Sequence, residues 1–323
     1  MRFEEMLQSV GRADGPLNVR HLYALSEMTR EQMTMFQDEW LAMDRERRRA
    51  VVRKLVELTE VSFEVNFDPI FLLAMGDNDS EVRAAAIGGL WENTDPSLIA
   101  PLVHLLHVDE AAIVRAAAAT ALGQYVLLGE LEALDRASSK MAKEALCQTI
   151  GREDETVEVR CRAVESIAYS GESDAHQIIQ AAYHSDDETM QASSLFAMGH
   201  SADPGWGQVL AMELDNPNPE LRFEAARACG ELELTPVVPQ LGHLVFNDPD
   251  REVQQAAVWA LGRIGGKNAR DILETCDDSE DEVLAASAAD ALDELGPFDD
   301  GFSISLLEEP DEHEDTESDE MEW

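Results

Sequence analysis

Histidine, cysteine and carboxylate side chains are the usual holders of metals and movers of protons, and this sequence carries 8 His, 4 Cys and 66 Asp plus Glu. Their spacing forms no working set. Cys147, Cys161, Cys229 and Cys276 lie far apart and include no C-x-x-C pair. Neither a zinc site nor a disulfide framework is therefore expected, and reduced thiols are the default. His104 and His107 stand one helical turn apart, but no Asp or Glu completes a zinc pattern beside them. His21, His176, His184, His200 and His243 are scattered and read as packed or solvated rings. One His-Glu pair occurs, His313-Glu314, close to the end of the chain. There is no G-x-x-x-x-G-K-[ST] phosphate loop and no G-x-S-x-G nucleophile elbow. Gly262-Arg-Ile-Gly-Gly266 falls at the end of a helical pattern, so it reads as a terminator and not as a nucleotide loop. No catalytic residue, cofactor or metal is assigned.

What does recur is a phrase for building elements. An aliphatic residue, often followed by Arg or Gln, precedes small residues and Ala-Leu-Gly. It stands at Val82, Val114, Val159, Met190, Leu221, Val253 and Leu284, in steps of 32, 45, 31, 31, 32 and 31 residues. A fixed period of this size marks an array of stacked helical units. With Val253 as position zero, Ala256, Ala257, Ala260 and Leu261 fall at +3, +4, +7 and +8, one face of a helix. Gly123, Gly199, Gly230 and Gly262 fall at +9 and are expected to end their helices in the left-handed conformation. Polar turns such as Asp77-Asn78-Asp79 and Asn247-Asp248-Pro249-Asp250 precede the phrase and can cap it. Another apolar stretch precedes each turn, so each unit is helix, turn, helix.

The boundaries follow. Residues 1–43 read as a helical cap, with Leu22, Leu25, Met28, Met33, Phe36 and Trp40 supplying its apolar positions. Residues 44–296 form the array, beginning with a degenerate copy at Arg47 to Val56. A longer unit around 124–155 accounts for the 45-residue step, as a longer loop or a small extra helix near Leu128 to Ser139. Residues 297–323 hold twelve acidic residues and no Lys or Arg, a composition expected to stay disordered.

These phrases resemble HEAT repeats, in particular the short form named after phycobilisome lyases, over about residues 44–296. The clearest unit runs from Asp250 to Gly266. The layout is similar to bacterial HEAT-repeat proteins with an acidic tail and no settled activity. The resemblance implies an all-α, armadillo-like fold, a right-handed α-solenoid of helical hairpins. It also implies a ladder of turn Asp and second-helix Arg between units. Asp77 with Arg83, Asp109 with Arg115 and Asp154 with Arg160 match that ladder, whereas Gln191, Gln254 and Ala285 are expected to break it.

Enzymes with this repeat set a test. Deoxyhypusine hydroxylase holds a di-iron centre on repeated His-Glu pairs, and iron needs such imidazole and carboxylate ligands. The corresponding places here are Ala84-Ala85, Ala116-Ala117, Cys161-Arg162, Ala192-Ser193, Phe223-Glu224 and Gln255-Ala256, which disfavours that oxidoreductase chemistry. Bilin lyases lack a simple diagnostic motif and remain the alternative reading. HEAT-like DNA glycosylases need a basic groove, which the net charge of −42 opposes. Leaving out the twelve acidic residues of 297–323 still leaves −30 on the rest. Such a surface repels nucleic acid and anionic membranes. It favours a basic partner, or serves only solubility or a salty medium; both stay open. The start has no basic region followed by an apolar core, and no apolar run approaches the length of a membrane span, so a cytoplasmic protein is expected.

The function implied is a non-catalytic scaffold that binds a protein or peptide partner in the concave groove. Positions +2, +6 and +9 of the second helices are expected to line it. They place Phe196, Phe223 and Trp259 in three consecutive units, with Arg227 between them and Trp91 in an earlier one. Aromatic residues and Arg dominate interface energetics. The bland alternative is that Phe196 or Trp259 tilts into the seam between units. A basic island of Arg45, Arg47, Arg48, Arg49, Arg53 and Lys54 is either a solvated face or a dock for the acidic tail.

Overall fold

A computed structural model describes residues 2–62 and 64–295. These residues form eighteen α-helices, and no strand occurs among them. Helices α1 (Phe3–Gly11), α2 (Val19–Tyr23) and α3 (Arg30–Ala42) precede α4 (Arg45–Val61). Seven hairpins follow: α5 (Asp68–Ala74) with α6 (Ser80–Gly89), α7 (Ile99–Val108) with α8 (Ala112–Glu130), and α9 (Arg136–Ile150) with α10 (Val157–Ile167). Then come α11 (Ser173–Tyr183) with α12 (Glu188–His200), and α13 (Gly207–Glu213) with α14 (Pro219–Glu231). The last are α15 (Val238–Asn247) with α16 (Arg251–Ile264), and α17 (Gly266–Asp277) with α18 (Glu282–Leu295). The architecture is an all-α solenoid. The acidic tail and His313-Glu314 lie outside the described residues.

Most of the second helices start where the sequence supplies a cap, α8 after Ala111 being an exception. Asp44, Asp79, Thr156, Asp187, Asn218 and Asp250 each accept a backbone N–H from the first turn of α4, α6, α10, α12, α14 and α16. That satisfies groups the helix cannot pair internally. Successive second helices pack along the array far more extensively than successive first helices do. The second helices thus form the tighter of the two layers.

The glycines make that tight layer, and here the structure corrects the sequence reading. Gly123, Gly199, Gly230 and Gly262 all sit inside their helices, and none has positive φ. Each faces the small residue at +7 of the next unit. A Cβ on Gly199 would lie 2.8 Å from Ala228 Cα, and one on Gly230 would lie 2.8 Å from Ala260 Cα. On Gly262 it would meet Ala291 Cβ at 2.9 Å, and on Gly123 it would meet Ser166 Oγ at 2.9 Å. Position +9 is thus a buried seam and does not line the groove in those units. The left-handed terminal residues are Glu132 (φ 55°), Ala202 (φ 53°) and Glu233 (φ 49°), together with Gly265 (φ 64°) after α16.

The long unit also differs from expectation. Its extra residues extend α8 and α9 to 19 and 15 residues, with only a short turn between them. Helix α8 is therefore long and apolar enough to pass for a membrane span by length and composition, contrary to the sequence reading. It packs against α6, α7, α9 and α10 with Val114, Ala118, Leu122 and Val126 in the core. At the other end, Met6, Leu7, Val10, Leu22, Leu25, Phe36 and Trp40 join the same core as Val51 and Leu55, so α1–α3 close the first end of the array.

Candidate functional site

The arginines settle first, because they decide which charges remain free. Arg83 donates both Nε and Nη2 to Asp109 at 2.8 Å and Nη1 to the Asp77 carbonyl at 2.8 Å. Arg115 does the same with Glu155 and the Asp109 carbonyl, and Arg222 with Asp248 and the Asn216 carbonyl. Each Arg thus clamps its own turn and the turn of the next unit. The expected pairing is corrected in all three places: the Asp77 carboxylate receives Arg48 at 2.9 Å, that of Asp109 receives Arg83 in place of Arg115, and Asp154 pairs with Arg152, while Arg160 donates to the Ile150 carbonyl. Gln191 and Gln254 keep the clamp on their own turn, through the Ser185 and Asp248 carbonyls, but reach no carboxylate of the next unit. Burial alone would raise Asp109, Glu155 and Asp248, yet the guanidinium bonds hold all three below the usual carboxylate range.

The basic island is largely spent in the same way. Arg47 is buried and donates to the carbonyls of Val10, Gly15 and Ser9, tying α4 to the end of α1. Arg48 also donates to the Met43 carbonyl and to Asn78. Arg49 bonds Asp79 at 2.8 and 2.7 Å, which holds that carboxyl down to about 2, and pairs with Glu81 at 2.8 Å. Arg53 pairs with Glu81, and Lys54 with Glu57. Arg45 is exposed beside them. The acidic tail, whose docking here is one of the two readings of the island, lies outside the described residues.

The aromatic stripe occupies the exposed side of the second helices. Phe196, Phe223, Arg227 and Trp259 are all half-buried, and Trp91, just beyond α6, is 49% exposed. Phe223 and Trp259 rest partly on the core, and the Trp259 ring lies against Gly230. The Arg227 guanidinium sits 3.5 Å from the Trp259 ring centre, a stacked cation–π contact. Phe196 stacks on His200 at 4.0 Å, and Tyr169 meets the edge of His200 at 5.9 Å. The stripe expected from three residues therefore reaches back to Tyr169, in the turn that follows α10.

Carboxylates lie within it. Glu165 accepts Ser193 Oγ at 2.8 Å across the seam between α10 and α12, and Arg162 at 2.6 Å. Glu224 on α14 is half-buried, and no hydrogen bond or ion pair reaches its carboxylate from any described residue. Burial, then the charge of Glu165, pushes it up to about 7. Sequence reasoning met Glu224 only as a position lacking a metal ligand. At +3 the repeat offset puts it on the packed face of the helix, beside the groove-lining +2 and +6 positions, and its half-burial follows from that place.

A second concavity of about 440 Å³ opens on the loops around α11. His176 stacks on Trp206 at 4.0 Å, and its Nδ1 lies 3.2 Å from Asp203. Among the described residues no group of three or more His, Cys, Asp or Glu is arranged to hold a metal ion. Cys161, Cys229 and Cys276 are buried, and burial pushes their thiols up, Cys229 to about 12.

With this geometry in hand, the family model for HEAT repeats matches residues 67–137 and 207–293. No curated protein matches the chain. Among solved structures, the complex of CpcE and CpcF of phycocyanin lyase from Nostoc sp. is 16% identical, with 88% of this chain and 97% of that chain covered and a TM-score of 0.53. Human deoxyhypusine hydroxylase is 17% identical over 91% of this chain and 95% of that one, with a TM-score of 0.35. Importin beta is 13% identical over 90% and 46%, with a TM-score of 0.47. Likeness at these identities is likeness of fold.

Proposed function

We propose that this chain, a HEAT-repeat protein, is a non-catalytic scaffold that holds a protein or peptide partner along the inner face of α10–α16. The observation that carries the reading is the row of half-buried rings at Phe196, Phe223 and Trp259, with Arg227 held flat on Trp259. Rings fixed on helices and partly open to solvent offer apolar area at little entropic cost on binding. The acidity of the chain weighs against nucleic acid or an anionic membrane as the occupant and favours a basic protein.

Replacing Phe223 and Trp259 together by Ala tests it. Affinity capture from the native host should lose its partner, by at least about tenfold, with helicity unchanged by circular dichroism. Undiminished capture would overturn the reading. The bilin lyase alternative rests on fold alone, and absorbance of a pigment retained after purification would support it.

A further inference from the structure

We infer that Glu224, with Glu165 beside it, receives a cationic side chain, Lys or Arg, from a basic segment of the partner lying along the inner face. The inference rests on the scaffold reading above and names the chemistry of its occupant. The register carries it. Ser193 lies against Glu165, which is 28 residues earlier and one unit back. Applied one unit on, the same offset sets Glu224 against Phe196, with Phe223 adjacent on its own helix. Glu224 is half-buried on α14, and no described residue supplies its carboxylate with a hydrogen bond or a counter-charge.

The nearby cations are already engaged. Arg162 is bound to Glu165 at 2.6 Å, and Arg227 lies on Trp259 at 3.5 Å. Their fields, together with those of Glu165 and Glu220, are the charges that act on Glu224, and burial outweighs them. An apolar guest would bury the carboxylate further without a partner, which is unfavourable. An acidic guest would meet Glu165, Glu224 and a chain of net charge −42. A cationic guest supplies the counter-charge that Glu224 lacks, and the nearby charge of Glu165 adds to its attraction.

Protonation makes the test specific. Glu224 pushed up to about 7 is largely neutral below that pH and must ionise to hold a cation, so affinity falls as pH drops through about 7. The probes are fluorescein-labelled peptides of repeated Lys-Leu-Ser, of Arg-Leu-Ser, and of acetyl-Lys-Leu-Ser, read by anisotropy at physiological salt. The Lys and Arg peptides should bind about tenfold more tightly at about pH 8 than at about pH 6, and the acetylated one should bind weakly at both. Glu224→Gln should lower affinity about tenfold at the higher pH and flatten the profile, because the isosteric amide keeps the fold but never ionises. Glu274→Gln, the same loss of charge on exposed α17, should change affinity less than about twofold.

Equal losses for the two variants, or a wild-type profile flat in pH, would overturn the cation site. If the Phe223→Ala, Trp259→Ala double variant still abolishes binding in that case, the scaffold reading stands alone. If that double variant binds as the wild type does, the scaffold reading fails as well.

Discussion

Arg222 ties two units together with a single side chain, and two natural replacements show how its jobs divide. Its Nη1 closes its own turn on the Asn216 carbonyl, a role that Gln191 and Gln254 perform in their units. Its Nε and Nη2 reach Asp248 in the next unit at 2.7 and 2.8 Å. Arg222→Gln should therefore keep the turn and remove only the link between units. Asp248 is held below its ordinary value, so the stability it adds is complete above that ordinary value and is lost as pH falls through the depressed one. The variant should lose roughly 2–3 kcal/mol near pH 7 and close on the wild type as pH falls through the depressed value of Asp248, measured by urea melts across the acid range. A constant difference at all pH values would mean that the pair adds nothing through its charge. The ladder residues were legible in the sequence, but their partners were not. Arg83 bonds a carboxylate 26 residues ahead, whereas Asp77 in its own turn attracts attention because it lies only six residues behind. Where α8 and α9 lengthen, the same link spans 40 residues and ends on Glu155 instead of an Asp.

At the scale of the helix, the hairpin pattern was readable because the 31-residue step and the capping residues repeat. The purpose of the glycines was not, because Ala-Leu-Gly at a helix end describes both a terminator and a close approach. The helices continue past Gly199 and Gly230, and the neighbouring helix fills the place of the missing side chain. Glu132 and Glu233 adopt the left-handed terminal conformation instead, which no residue preference announces. The same substitution should then act in opposite directions at two sites. Gly230→Ala forces a methyl to within 2.6 Å of the Trp259 ring and 2.8 Å of Ala260 Cα, and should cost about 1–3 kcal/mol despite better helix propensity. Gly88→Ala, on exposed backbone of α6 with nothing within 4 Å, should stabilise by about 0.5–1 kcal/mol. Thermal melts of both variants decide the matter, and two shifts of the same sign would refute the seam. The offset that misread the glycines also misassigned +9 to the groove, while Phe196, Phe223 and Trp259 at +2 and +6 do reach solvent in part. Glu224 escaped notice because a one-dimensional repeat does not say whether a half-buried carboxylate finds a partner in its neighbours.

Over the whole array, the links between units are unevenly spread, and the interior follows the same division. Arg48 to Asp77, Arg83 to Asp109 and Arg115 to Glu155 join successive units in the first half. From α10 through α12 to α14 no such Arg–carboxylate link joins the turns among the described residues, and it resumes with Arg222 to Asp248. The apolar core divides at the same place. One cluster takes in Val159, Ala163 and Ile167 from one side of α10, and the other takes in Cys161, Val164 and Ala168. In a solenoid each unit touches only its neighbours, so stability is a sum of unit and seam contributions, and weak seams separate cooperative blocks. Net repulsion at −42 charges acts on all seams alike and opens the weakest first. Hydrogen exchange followed through increasing urea should then resolve two steps, with α11–α18 losing protection before α4–α9. Asp109→Asn should move only the later step and Arg222→Gln only the earlier one. One coincident loss of protection, moved by either substitution, would show that the clusters unfold as a single unit and that α10 transmits stability across the break.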